Sequence, residues 1–149
     1  MDEQIELILR GGQFKKLLDE RAAILRKKYN MKKAEVEIVY FLSKSGVQNT
    51  STDIHKYLMM NKGHISQAVE RLCRRNYLTA IPDKEDRRYI HYQMTEDAKE
   101  MVEEIVSIRN DITEAILMGI TEEEIRTFRK VAMKISGNIE KFCQVCMCS

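Results

Sequence analysis

The sequence predicts a mainly α protein with one small β-hairpin. Three observations carry that prediction. Proline and glycine are scarce, one and six among 149 residues, which leaves few places to break a helix. Apolar residues recur at three- and four-residue spacing through most of the chain. Between residues 78 and 94 the pattern changes to short alternating runs around a charged centre, the mark of a hairpin. The length suits a single domain over 1–149, large enough to bury a core without disulfides or metal.

The elements follow in order. A first helix covers about residues 5–29, with Phe14, Leu17, Leu18, Ala22 and Leu25 on one face and Lys15, Lys16, Asp19, Glu20 and Arg26 between them. Gly11 and Gly12 mark where it is interrupted or delayed. A second helix covers about 33–45, and Gly46 stands where a left-handed cap is wanted. Thr50 and Asp53 have capping-box spacing and open a short third helix ending near Met59 or Met60. Asn61 caps a fourth, roughly 62–75, whose Ile65, Val69 and Leu72 form a buried stripe.

Residues 78–82 form a short strand that Pro82 confines to an edge. Residues 83–87 are a charged hairpin loop. Residues 88–94 return as a strand with Tyr89, His91 and Gln93 on one face and Ile90, Tyr92 and Met94 on the other. Thr95 is expected to cap a long acidic helix to about Met118, broken by Gly119. Thr121 and Glu124 are a second capping-box pair. They open a final helix to about Phe142 with Ile125, Phe128, Val131, Ala132, Ile135 and Ile139 in its stripe. There is no internal repeat and no interdomain linker.

Composition narrows the function classes. No stretch approaches the ~20 apolar residues of a membrane span, and the start of the chain lacks a signal-peptide pattern. A soluble cytoplasmic protein with reduced thiols and no membrane partner is expected. Residues 61–94 carry a net charge of +3 and residues 95–124 a net charge of −8, so a polyanion would be accepted by the middle of the chain and repelled beyond it. No glycine-rich phosphate loop, nucleophile–base pair or established metal motif is present, and neither an enzyme nor a cofactor is expected.

Two short helices joined by a tight turn, with a hairpin directly after the second, make a winged helix-turn-helix spanning about 33–94. Burial of Ile65, Val69 and Leu72 turns Gly63, His64, Ser66, Gln67, Glu70, Arg71 and Arg74 outward. A DNA major groove accepts one such helix, in which Gln67 suits adenine and Arg71 guanine. Lys62, His64 and Ser66 are equally suited to phosphates, helped by the amides of the helix N-terminus. Arg87 and Arg88 at the hairpin tip suit an electronegative minor groove. Asp86 is read as orienting the arginine rather than touching DNA. Thr50, Ser51 and Arg74 complete the set of candidate DNA contacts, and Glu70 is placed to pair with Arg74 at i+4.

Residues 53–95 resemble the multiple antibiotic resistance regulator (MarR) family of transcription factors. The resemblance rests on Ile65-Ser-Gln-Ala-Val-Glu-Arg-Leu72, Asn76-Tyr-Leu78, Asp86-Arg-Arg88 and Met94-Thr95, in that order and spacing. Asn76 replaces a common family glycine, and Asp97-Ala98 replaces another. The resemblance implies a homodimer on a pseudo-palindromic operator of double-stranded DNA. Its dimerisation helices would be about 5–29 and 95–142. Repression relieved by a small-molecule effector or by oxidation is also implied.

Two other readings compete. One is a thiol- or metal-responsive regulator using Cys143, Cys146 and Cys148, whose C-x-x-C-x-C spacing suits soft metals or redox chemistry; the plainer reading is a frayed, reduced end. Cys73, beside Leu72, reads as a small packing residue. The other is a winged-helix protein-interaction module, since a fold alone does not establish DNA binding. His55 and His91 read as structural or exposed, and the nine methionines as core filler.

Overall fold

The computed structural model describes residues 11–147, with side chains described as far as Gln144. The first expected helix is seen as α1 (Gly12–Lys28); its residues 5–10 lie outside the described part. Gly11, at φ 62°, stands at its head, so the glycine pair falls at a backbone turn that favours glycine. There follow α2 (Lys33–Lys44), α3 (Ser51–Leu58), α4 (Lys62–Arg74), β1 (Leu78–Pro82), β2 (Ile90–Met94), α5 (Lys99–Ile116) and α6 (Glu122–Met147). The protein is mainly α, with one two-stranded antiparallel hairpin.

The described residues divide into two compact units, one ending at Ile112 and the other starting at Thr113. In the first, Ile38 and Val39 of α2, Ile54 of α3 and Ile65 and Leu72 of α4 share one buried cluster. Leu78 of β1 and Met101 and Ile105 of α5 join it. Each such side chain contributes ~1.5–3 kcal/mol when fully buried, so α4 is anchored along its whole inner face. α2 begins at a reciprocal cap in which the Lys32 amide donates to Glu35 Oε2 at 2.7 Å.

Local signals in the sequence set most boundaries. The Thr50 amide donates to Asp53 Oδ2 at 3.0 Å while the Asp53 amide donates to Thr50 Oγ1 at 3.3 Å, which is the expected capping box. Asn61 Oδ1 accepts from the Gly63 amide at 2.7 Å and opens α4. In the turn between α3 and α4, Met59 takes φ 54°, and His55 Nδ1 lies 2.6 Å from the Met60 carbonyl oxygen, bracing that turn. In the second unit the Thr121 amide and hydroxyl both donate to Glu124 Oε2 at 2.8 Å, as the spacing predicts.

Three expectations are corrected. Thr95 does not cap the acidic helix: its hydroxyl donates to the Asn76 carbonyl at 2.5 Å, closing the base of the hairpin. A 3-10 turn, Glu96–Ala98, leads into α5 instead. The last helix does not stop at Phe142 but continues to Met147, so Cys143 and Cys146 stand on helix rather than on a frayed end. Cys148 lies outside the described residues. Among the described residues no helix is long and apolar enough to cross a membrane.

Candidate nucleic-acid interface

The outer face of α4 is built by subtraction. Ile65, Ala68, Val69 and Leu72 are at most 5% exposed, and the helical period then turns Lys62, His64, Ser66, Gln67 and Glu70 outward, all exposed. Ser51 and Thr52 at the start of α3 line a small hollow with Lys62 and Ser66. The N-termini of the two helices therefore bring Ser51, Lys62 and Ser66 together, while Thr50 is half-buried and engaged in its cap. Backbone amides and hydroxyls at helix starts suit phosphate oxygens.

Arg71 occupies a different place from its neighbours. Its Nε lies 2.7 Å from Glu35 Oε1, and the Glu35 side chain is 1% exposed. The same carboxylate caps α2 through its other oxygen. Arg71 thus ties α4 to α2, with its guanidinium directed inward at a buried carboxylate rather than wholly outward. Arg74 pairs with Glu70 at 2.7 Å, as the i+4 spacing predicts. Both are well exposed, so this pair is worth only ~0.3–0.5 kcal/mol and leaves Arg74 available.

The hairpin pairs Leu78 with Met94 at its base and Pro82 with Ile90 near its tip. Lys84, Arg87 and Arg88 are exposed in the connecting loop. Asp86 holds Arg88 in a forked contact: Nε donates to Oδ1 at 2.9 Å and Nη2 to Oδ2 at 2.7 Å. The hydrogen bonds from Arg88 keep the Asp86 carboxyl below the usual carboxylate range, and the same pairing raises Arg88. Asp86 thus fixes where the Arg88 side chain sits relative to the loop backbone. Arg87 is exposed and lines a hollow with Pro82, Asp83 and Lys84.

Asp83 organises the loop. Its Oδ1 accepts from the amides of Glu85 at 2.8 Å and Asp86 at 2.9 Å, and its Oδ2 lies 2.9 Å from His91 Nε2. The Asp86 amide, His91 and the Glu85 amide lower its carboxyl from 3.8 to about 2. On the other side of the imidazole, Nδ1 lies 2.5 Å from Asn49 Oδ1. Neither Asp83 nor Asn49 is among the candidate DNA contacts that the sequence pattern marks. The signals were present in part: Asn49 is a polar residue beside a cap, and Asp83 opens a charged loop.

Cys73 is half-buried on α4, and burial pushes its thiol up, away from the thiolate that redox or metal chemistry needs. Among the described residues no group of three potential metal ligands is clustered, and Cys143 is exposed.

Residues 31–98 match the family described as a winged helix DNA-binding domain. No protein of curated function matches the sequence. Among solved structures the chain resembles the transcriptional regulator PA3341 at TM-score 0.79 and 19% identity, covering 93% of this chain and 98% of that one. It resembles FabT of Streptococcus pneumoniae, solved in complex with DNA, at TM-score 0.68 and 20% identity, covering 95% and 99%. A MarR protein of Peptoclostridium difficile matches at TM-score 0.73 and 20% identity, covering 95% and 90%. Residues 31–98 are therefore similar to a winged helix DNA-binding domain, and the chain has the fold seen in the MarR protein of Peptoclostridium difficile and in the regulator PA3341.

Proposed function

We propose that this chain is a sequence-specific, DNA-binding transcriptional regulator that acts as a homodimeric repressor on a pseudo-palindromic operator. The observation that carries the reading is the outer face of α4. His64, Ser66 and Gln67 are exposed on a helix whose opposite face is locked into the core. A cationic hairpin tip accompanies it. In this reading α4 enters a major groove with Gln67 at base edges, while Ser51, Lys62 and Ser66 hold phosphates. Arg87 and Arg88 reach the flanking minor groove. Arg71 is assigned to holding α4 against α2 through Glu35 rather than to guanine.

Three features support the finer parts. On α6, Phe128, Ile139 and Phe142 are all more than half exposed, an apolar stripe that a second copy of the chain would cover. A cleft of about 500 Å³ lies among α1, α2 and the helix-turn-helix, lined in part by Phe14, Leu18, Lys33, Met60 and His64. That volume suits a small-molecule effector, and His64 belongs to both the cleft and the outer face of α4. The raised Cys73 thiol favours ligand release over oxidation at that residue.

The test is selection of bound sequences from random duplex DNA, followed by affinity measurement across salt. A regulator of this kind enriches a two-fold-related site, and its affinity falls steeply as salt rises. A winged helix that serves only protein contacts enriches nothing. Sedimentation of the free protein checks the dimer.

A further inference from the structure

We propose that His91 is the positioning residue of the wing: its imidazole bridges the opening of α3 to the hairpin loop and sets the angle at which Arg88 meets DNA. The inference rests on the DNA-binding reading above and assigns a residue to that same site.

Little apolar burial holds the hairpin. Along β1 only Leu78 is buried, and Thr79, Ala80, Ile81 and Pro82 are exposed. Tyr92 and Met94 pack against the core at the base. The backbone adds one stitch beside them, the Tyr92 amide donating to the Asn49 carbonyl at 2.9 Å, with a bridge between Thr50 and His91. Beyond that point toward the tip, among the described residues, the His91 ring ties the loop back to the helix-turn-helix.

The tie is a continuous chain of polar contacts. It starts at Asn49, 8% exposed, and passes through the imidazole to Asp83 by contacts of 2.5 and 2.9 Å. Asp83 holds the amide of Asp86 at 2.9 Å, and Asp86 holds the Arg88 guanidinium. Asn49 directly precedes Thr50, the cap of α3. The wing arginine is thereby referenced to the same helix start that carries Ser51. Distances between helix and wing contacts decide whether both grooves are reached at once. A rigid link between the two is what such spacing requires.

The experiment uses the full-length protein and the site selected from random DNA. His91→Ala is compared with wild type, with His91→Gln and with Arg88→Ala by hydroxyl-radical footprinting and by affinity across salt. The expected result is loss of protection at the flanking minor grooves with the central half-site protections kept. The salt slope drops by about one, as for removal of one phosphate-region cation. Adding Arg88→Ala to His91→Ala then changes little further, because both remove the same contact. His91→Gln, which keeps a donor within reach of Asp83, restores part of the flanking protection. The assignment is overturned if His91→Ala leaves flanks and slope unchanged. Equal fading of centre and flanks, with Arg88→Ala adding its full effect on top, also overturns it, since that is a general loss of fold. Failure of the wild type to select any DNA overturns the functional reading itself, an outcome distinct from both.

Discussion

Helix α4 and the wing present similar side chains to solvent but are held by opposite means. α4 rests on four residues at most 5% exposed, so its position is fixed by close packing, and shifting it disturbs the whole core. The wing is held mainly by hydrogen bonds and ion pairs among Asn49, Asp83, Asp86, Arg88 and His91. Such contacts are directional and individually small, and each can be removed without opening a cavity. If α4 and the wing meet DNA as proposed, the reach of α4 follows from core packing, whereas that of the wing is adjustable by single polar substitutions.

The largest expected effect breaks the first half of that comparison. Leu72→Ala removes a side chain that is 0% exposed at the centre of the cluster and should cost ~2–5 kcal/mol. Urea unfolding measures this loss, and DNA binding should disappear through both elements together. Retained stability would mean that α4 is not packed as described. Next in size is Glu35→Ala. It strips Arg71 of its partner and α2 of its cap at once, and a loss of order 2 kcal/mol is expected. Glu35→Gln keeps the side chain's length and an acceptor for the Lys32 amide, so it should cost less. If the two variants are equally unstable, the charge of Glu35 rather than its cap dominates.

Arg88→Ala tests the other half. It should leave the unfolding midpoint in place, because the guanidinium is well exposed, while the salt slope of operator binding falls by about one. A variant that unfolds early would show that the wing supports the core, erasing the contrast. Unchanged affinity for a mapped operator would remove Arg88 from the interface.

How much of this was legible in the sequence follows the same division. The elements held by local signals were read closely. Thr50 with Asp53, Asn61 before Gly63 and Thr121 with Glu124 all satisfy amides within three residues, and the α4 stripe of Ile65, Val69 and Leu72 is buried as its period requires. What escaped depends on residues far apart in the chain. Thr95 looked like a cap because acidic residues follow it, yet the hairpin brings the Asn76 carbonyl to its hydroxyl. Arg71 looked free because its helix neighbours are polar; its partner Glu35 belongs to an earlier helix. His91 was legible only as structural or exposed, since the contact that defines it comes from Asn49, 42 residues away. Asn76 shows both sides. Its left-handed backbone, φ 59°, is one that asparagine tolerates better than most residues. Its side-chain amide donates to Asp97 Oδ2 at 2.6 Å across 21 residues, a pairing that neither residue alone announces.

The smallest expected effect concerns pH and sharpens the claim that the wing is set by polar contacts. The Asp83 carboxyl titrates at about 2 in the folded protein, against 3.8 for an unperturbed group, because the Asp86 amide, His91 and the Glu85 amide all favour its ionised form. A carboxyl lowered on folding contributes stability that is fully present above its unfolded value and is lost as pH falls through the folded one. Loop order should therefore stay constant from neutral pH down to roughly 4 and fade between there and about 2. The amide resonances of Glu85 and Asp86 report it directly, since both donate to the titrating oxygen. In Asp83→Asn the same resonances should already be displaced at neutral pH and show no step in the acid range. A step that persists in that variant would assign the titration to Asp86 or Glu85 instead, and Asp83 would lose its place as the organiser of the loop.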